Sequence, residues 1–361
     1  MLTNEVTPAW LPERDRSYLI YGFTGQGQQR PDMLEAWYGY SVETDAILRH
    51  FHSVTNTEFG RRLDEQELES GPLMQPANVT LGVIGSMALA QIEITPNEAA
   101  GHSLGEYAAV FATGFVDPEE IITLARHRGE STEQNIRQLL EEKIPTGMMA
   151  VSKKAGNVVA ELTEILRDLR IPERELGIKN YNTDDQVVLS GVSSFFPSIK
   201  DRAAKSLRTI ELKVDGPYHS LHMRLAKAAM KPHVDALPIR QPKRPKLYSP
   251  TTVGQLKTRD NIADMLLDQL VSPVKYSQLI EARLKYLNRP HIAKLLGARG
   301  AKEVVFVEIG AYAPGKPSDS GVLIGLNKKN VESYQHGDMP IRFHRVSIPE
   351  DLLNIRLTAK A

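Results

Sequence analysis

Short apolar runs alternate with longer amphipathic stretches along the chain, the rhythm of an α/β protein. YLIYGF, Tyr18 to Phe23, is an apolar run of strand length that ends at the glycine-rich turn TGQGQQ. Residues 31 to 70 read as helical and charged. The most apolar long stretch, VTLGVIGSMALAQI from Val79 to Ile92, reads as a buried helix. Gln75-Pro76 precedes it, where proline suits a first helical turn. ITPNEAAGHS supplies a short strand, and Asp117-Pro118-Glu119-Glu120 starts a helix that carries RHRGE towards Glu142. From about 145 to 214 the elements shorten. TGMMAVSK, LGIKNYN, QVVLSG and TIELKV read as strands, with helices at NVVAELTEILRDL and SSFFPSIKDRAAKS. That β-α-β-β-α-β order is the ferredoxin-like split unit. After Asp215 longer elements return, ending on the strand EVVFVEIG.

Composition narrows the function classes. Of 361 residues, 41% are hydrophobic and 24% charged, and 44 basic residues balance 44 acidic ones. A net charge of +0 argues against nucleic acid as the main partner. The absence of cysteine excludes disulfides, thiolate catalysis and cysteine-ligated metals. The N-terminal MLTNEVTPAWLPERDRS has no apolar core of signal-peptide length, and 79 to 92 is too short to span a bilayer. A cytoplasmic protein with no membrane partner is therefore expected. RQPKRPK, Arg240 to Lys246, is the densest basic cluster.

Within GHSLGEYAAVF, Gly101 to Phe111, the pattern Gly-x-Ser-x-Gly fits a nucleophile elbow, with Ser103 exposed at a strand-to-helix turn. A serine hydroxyl is protonated at neutral pH and needs a base. His219, in DGPYHSLHM, lies where the chain returns from the short-element region and could fold back over the elbow. His222, three residues on, would make a metal pair with it, but no third ligand has a recognisable spacing, so no metal is expected. His102 reads as packing for the turn. No aspartate stands out as a third triad member, and a backbone carbonyl orients an imidazole equally well. The turn GFTGQGQQ could offer backbone N–H groups to an oxyanion. It lacks the Lys-Ser/Thr pair of a phosphate loop. Leu104, following the serine, would supply a second donor.

These residues resemble the malonyl-CoA:acyl-carrier-protein transacylases and the acyltransferase domains of polyketide and fatty-acid synthases. The resemblance rests on FTGQGQQ, LMQPA, GHSLGE, RGE at 128 to 130 and IKNYNTDDQVVLSG at 178 to 191. It continues through PYHS, QLVSPV at 269 to 274, and VEIG followed by GVLIGLNKK, all in order. It implies Ser103 as nucleophile, His219 as base, and the amides of Gln26 and Leu104 as oxyanion donors. It further implies Gln75 lining the acyl pocket, Arg128 gripping a malonyl carboxylate, and the backbone carbonyl of Gln269 orienting the base. Tyr218 falls where it implies a bulky aromatic beside the acyl group. A guanidinium is a planar bidentate fork for a carboxylate. The competing role for Arg128 is a helix pairing with Glu130 or Glu133. The chain departs from the family at Thr24 and Gln28, which replace a proline and a serine, and at GESTEQ after the arginine. Apparent insertions lie at 288 to 300 and 311 to 320.

The implied fold is an α/β-hydrolase-like large domain with a parallel sheet, spanning 17–144 and 215–361. A ferredoxin-like small subdomain covers 145–214 and a short extension covers 1–16. The implied activity is two-step transfer of a malonyl group from malonyl-CoA, a coenzyme A thioester, to the phosphopantetheine thiol of a separate acyl carrier protein. No cofactor is implied. Oligomeric state is not set, and a monomer is compatible with the chemistry. Alternatives are a proofreading acyl hydrolase, transfer of another acyl unit, and an inactive docking subunit.

Overall fold

The computed structural model describes residues 17–354, except 155, 215, 299–300, 302, 313–321 and 334–339. The proposed extension 1–16 and most of the second insertion lie outside the described residues. Among the described residues ten strands form two sheets. In chain order they are β1 Ser17–Phe23, β2 Glu98–Gly101, β3 Thr146–Ser152, β4 Leu176–Thr183 and β5 Gln186–Val192, then β6 Arg208–Glu211, β7 Lys246–Ser249, β8 Gly254–Leu256, β9 Glu303–Ile309 and β10 Ile341–Val346.

The larger sheet has the order β10-β9-β1-β2-β7-β8. Its first five strands are parallel, and β8 returns antiparallel to β7. Parallel neighbours require crossovers, supplied here by helices. Between β1 and β2 run α1 Val42–Thr55 and α2 Gly71–Gln91, and after β2 come α3 Gly105–Ala112 and α4 Pro118–Glu141. The smaller sheet is antiparallel, in the order β4-β5-β3-β6. With α5 Val158–Asp168 and α6 Phe196–Ala203 it completes the expected ferredoxin-like unit around its own core of Met149, Val151, Leu162, Leu189 and Ile199. One pair of backbone bonds ties it to the rest of the chain. Tyr181 N donates to Val274 O at 2.8 Å and Val274 N to Lys179 O at 2.8 Å. The C-terminal half adds α7 Arg224–Asp235, α8 Arg259–Asp268, α9 Tyr276–Leu287, α10 Pro290–Ala298 and α11 Val322–Ser333.

Three sequence expectations change. EVVFVEIG, read as the last strand, forms β9, and β10 follows it and pairs parallel with it at the sheet edge. The stretch 31 to 70 folds as α1 flanked by single 3-10 turns rather than as a continuous helix. The apolar helix begins at Gly71, eight residues before the expected start, so Pro72 occupies its first turn and Pro76 lies inside it. Pro76 has no N–H to give the carbonyl four residues back. That carbonyl, of Pro72, accepts from Arg126 Nη1 at 3.2 Å instead. By length and composition α2 is apolar enough to cross a membrane, yet nearly all of it is buried in the core between α1, α3, α4 and the sheet. Its close crossing with α4 depends on glycine. A Cβ on Gly129 would stand 2.3 Å from the carbonyl oxygen of Gly71. The insertion at 288 to 300 contributes α10, whose Ile292 and Leu296 pack with Leu287, Tyr18 and Val304.

Candidate active site

β1 and β2 end side by side at Phe23 and Gly101, and the crevice outside the carboxyl ends of parallel strands is where such sheets build sites. The chain leaves β2 through His102 and Ser103 and enters α3 at Gly105. Ser103 takes a left-handed backbone, φ +55°. Only glycine fits on either side. A Cβ on Gly101 would lie 2.0 Å from the carbonyl carbon of Gly105, and one on Gly105 would lie 2.2 Å from Phe23 O. This is the elbow that the pentapeptide predicts, except that Ser103 is buried rather than exposed, since His219 and the turn at Gly25 pack against it.

His219 is brought to it from 116 residues away. Ser103 Oγ and His219 Nε2 are 2.6 Å apart. On the other side of the ring, Nδ1 is 2.6 Å from the backbone oxygen of Gln269, at the C-terminal end of α8. A carbonyl only accepts, so Nδ1 carries the proton and Nε2 is left to accept from the serine hydroxyl. Burial, then the Arg128 charge, hold His219 down at about 3, against an ordinary 6.5, while the bond to Gln269 pulls the other way. The imidazole is thus neutral.

The glycine-rich turn after β1 packs directly on the elbow, since a Cβ on Gly25 would come 2.7 Å from His102 O. The backbone N–H groups of Gln26 and Leu104 have no acceptor among the described residues. Two free donors flanking a serine are the raw material of an oxyanion hole. Thr24, at a family proline position, uses the N–H that proline would lack to reach Ile309 O at 3.2 Å.

Arg128 is 1% exposed, in the middle of α4. Its Nη1 donates to Gln75 Oε1 at 2.6 Å and its Nη2 to Gln269 Oε1 at 3.3 Å, while Nε has no partner. Gln75 is fixed in turn by donating to Thr132 Oγ1 at 3.0 Å. Both partners of the guanidinium are neutral amides, and no carboxylate of the described residues lies within 4 Å. The helix pairing weighed from the sequence does not occur. Glu130 is held by Arg126 at 2.8 Å and His127 at 3.3 Å, and Glu133 by Arg137 at 3.0 Å. The guanidinium also sits 5.8 Å from the centre of the Tyr107 ring.

Sequence reasoning did not single out four further residues. Glu106, the last residue of GHSLGE, is buried and accepts from Ser249 and from Thr251 Oγ1, the latter at 2.9 Å. Burial pushes its carboxyl up to about 7, against hydrogen bonds and the Arg128 charge that pull it down. Asn182 offers Oδ1 to His102 Nε2 at 2.9 Å, which links the elbow to β4. Ser190 donates to the carbonyl of Tyr218 at 2.6 Å, and Thr132 positions Gln75. Glu106 and Asn182 lie in GHSLGE and IKNYNTDDQVVLSG, but their burial and partners depend on long-range packing. The resemblance implies a role for the Gln269 backbone alone, yet its side chain also reaches Arg128.

Tyr218 is buried in a cluster with Ile136, Met148, Val188 and Met223 where the two sheets' units meet. It also borders a cavity of about 240 Å³ shared with Gly71, Glu133 and Ile136. His222 turns away from His219, with Nε2 3.1 Å from Glu175 O. Among the described residues no group of three or more histidine or acidic side chains could hold a metal ion. RQPKRPK is remote from the serine. It leads into Lys246, which pairs with Glu98 at the start of β2, whereas Ser103 follows the far end of β2, roughly 10 Å on at about 3.3 Å per residue. Arg244 and Pro245 border a cleft of about 860 Å³ at that opposite end.

The chain is 28% identical over 318 residues to the malonyl CoA-acyl carrier protein transacylase of Bacillus subtilis, covering 87% of this chain and 90% of the relative. Its fold matches the malonyl CoA-acyl carrier protein transacylase of Coxiella burnetii with a TM-score of 0.75 at 22% identity, over 96% and 99% of the two chains. It also matches a malonyl-transacylase solved with a type II polyketide synthase acyl-carrier protein, with a TM-score of 0.73 at 21% identity, over 95% and 100%. The sequence model of the acyl transferase domain matches residues 20–292, well over half of the chain, and the protein belongs to that family.

Proposed function

We propose that this acyl transferase moves a malonyl group from malonyl-CoA to the phosphopantetheine thiol of a separate acyl carrier protein, through an ester on Ser103. The observation that carries the reading is the buried Arg128, held by two neutral amides with no carboxylate of the described residues within 4 Å. A buried cation with no direct ion pair is unfavourable by about several kcal/mol, and an anionic substrate relieves it. The free carboxylate of a malonyl thioester is such an anion, and a guanidinium binds it bidentately. The relatives named above are malonyl transacylases, which supports the same substrate.

In the first half-reaction His219 Nε2 takes the hydroxyl proton as Ser103 Oγ attacks the thioester carbonyl. The N–H groups of Gln26 and Leu104 receive the oxyanion. Collapse breaks the C–S bond, and the imidazolium returns its proton to the departing coenzyme A thiolate. In the second, His219 takes the proton of the phosphopantetheine thiol, the sulfur attacks the malonyl ester, and the same proton restores the serine hydroxyl. Gln269 keeps the imidazole in one tautomer through its carbonyl and holds Arg128 through its amide. Gln75 shares that task, and Tyr218 limits the space beside the acyl α-carbon. These steps use neither metal nor cofactor. We assign the large domain to 17–144 and 215–361 and the small subdomain to 145–214, with the site between them. A cytoplasmic setting suits a cysteine-free chain.

The deciding experiment incubates the protein with malonyl-, methylmalonyl- and acetyl-CoA and locates any mass adduct by peptide mapping. A malonyl adduct on Ser103 that is discharged by holo-acyl carrier protein is the expected result. An adduct elsewhere, or discharge to water alone, overturns the reading.

A further inference from the structure

A buried donor without an acceptor is rare in a folded protein and calls for a physical explanation. Two such donors fall together beside Ser103. The Tyr107 hydroxyl and Arg128 Nε are buried and have no hydrogen-bond partner among the described residues. Tyr107 is 0% exposed, and the Arg128 guanidinium stands 5.8 Å from the centre of its ring. The residue lies four positions after Ser103 in the first turn of α3, where its N–H donates to Leu104 O at 3.1 Å.

The acceptors around it are already engaged. Glu106, its neighbour in the chain, accepts from Ser249 on Oε1 and from Thr251 on Oε2. The side-chain oxygens of Gln75 and Gln269 accept from Arg128. Burial pushes the Tyr107 hydroxyl above its ordinary 10, against the pull of the Arg128 charge. The hydroxyl therefore keeps its proton and meets an anion as a donor.

A carboxylate is the acceptor that fits both donors. Its two oxygens offer about four lone-pair directions, of which a guanidinium fork takes two. Arg128 Nη1 and Nη2 are each tied to an amide, which leaves Nε as the open edge. The anion that takes this edge has lone pairs to spare, and the hydroxyl on the ring beside the guanidinium can fill one of them. A malonyl thioester carries such a carboxylate. An acetyl thioester does not.

We propose that Tyr107 is a specificity-determining residue whose hydroxyl donates to the free carboxylate of the malonyl group, beside the guanidinium of Arg128. The hydroxyl adds selectivity without adding charge. When the acyl group is uncharged, the donor stays buried and unpaired, and a site built to bond a polar group rejects an analogue that lacks it. The assignment rests on the transferase reading above, and the test separates the two.

Tyr107→Phe removes one oxygen and keeps the ring. It is compared with the wild-type protein, with Arg128→Ala and with the double variant, using malonyl-CoA and acetyl-CoA and the same holo-acyl carrier protein. In Tyr107→Phe the ratio of kcat/KM for malonyl-CoA to that for acetyl-CoA should fall by about tenfold, through KM, as for a lost hydrogen bond to a charged group. In the Arg128→Ala background the same substitution should change the ratio by about threefold or less, because two groups that hold one anion are coupled. The melting temperature of the free protein should be kept or rise, since phenylalanine leaves no unpaired hydroxyl. An unchanged ratio in Tyr107→Phe, including equal loss on both substrates, overturns the assignment. An effect of the same size with and without Arg128 also overturns it, because the hydroxyl would then act at another place. A lower melting temperature or loss of the fold overturns it too, since the hydroxyl would then have a partner in the free protein. A wild-type protein that forms no malonyl adduct on Ser103 removes the transferase reading itself, and the assignment with it.

Discussion

Ser103 Oγ and His219 Nε2 meet at 2.6 Å, and both residues hold left-handed backbones, φ +55° and +65°. For a non-glycine residue that conformation costs roughly 1–2 kcal/mol. The Ser103 strain is held by β2 and α3, and His219 is pinned through Gln269. Strain of this kind persists where surrounding structure over-determines it, and here it holds the serine hydroxyl against the imidazole.

The elbow separates function from stability. Ser103→Ala and Ser103→Gly should both lose the malonyl adduct completely. The glycine variant should be the more stable of the two by about 1 kcal/mol, because glycine tolerates φ +55° and alanine does not. His219→Ala should slow single-turnover acylation by about 10²–10⁴-fold, the contribution of a positioned base. Denaturant melts and intact-mass kinetics measure both effects. An adduct on the alanine variant would remove Ser103 from its role.

The acidity of His219 fixes a pH profile. With the native imidazole at about 3 and the ordinary value 6.5, acylation should show no inflection near 6.5. The unfolded chain binds that proton between 6.5 and 3 while the native protein does not, so stability falls as pH drops through this window. Above 6.5 the group contributes no slope. Glu106 has the opposite sign. Its native carboxyl holds a proton up to about 7 whereas the unfolded one releases it near 4.5, so its contribution is lost as pH rises from 4.5 to 7. Melts between pH 4.5 and 8 should show the acid-side slope reduced in His219→Gln and the opposing slope removed in Glu106→Gln. Superimposable profiles for wild type and His219→Gln would contradict the neutral, buried imidazole.

The sequence made local features legible and left their assembly hidden. Gly101, Ser103 and Gly105 announce a turn because only glycine and a short polar side chain tolerate that geometry, and the β-α-β-β-α-β order announces the smaller sheet. In the sequence Pro76 reads as a first-turn proline, whereas α2 starts at Gly71 and Pro76 lies inside it. Arg126, from a helix fifty residues on, supplies the donor that lets Pro76 sit inside. The double duty of Gln269 was equally invisible, since spacing says nothing about which side chain a distant helix receives. Charge density alone pointed to RQPKRPK, and only strand direction reveals that it faces away from Ser103.

The glycine contact between α2 and α4 should control the acyl site from a distance. A Cβ at Gly129 would meet the backbone of Gly71 at 2.3 Å, and backbone cannot step aside like a flexible side chain. Gly129→Ala should force the two helices apart at a cost of about 1–3 kcal/mol. Gln75 on α2 and Arg128 on α4 would separate with them, lengthening a 2.6 Å bond. The KM for malonyl-CoA should therefore rise while acetyl transfer changes little. Equal loss on both substrates would make the contact a stability feature only.

Choice of acyl group should turn on Arg128. A charge-assisted contact contributes roughly 1.5–3 kcal/mol, so Arg128→Ala should lose about ten- to a hundredfold in kcat/KM for malonyl-CoA. The same variant should gain relative activity on acetyl-CoA, which has no carboxylate to pair. Arg128→Lys should recover only part of the loss, because a point charge cannot hold Gln75 and Gln269 while also offering a fork to the substrate. Tyr218, next to the base in the chain and buried among Ile136, Met148, Val188 and Met223, is the residue proposed to limit the acyl pocket, so methylmalonyl-CoA should fall between malonyl- and acetyl-CoA in the wild-type protein. Competition assays with paired thioesters, run on all three proteins, read these ratios directly. A malonyl-to-acetyl preference that survives Arg128→Ala would make the guanidinium a packing element and move the source of specificity to another part of the pocket.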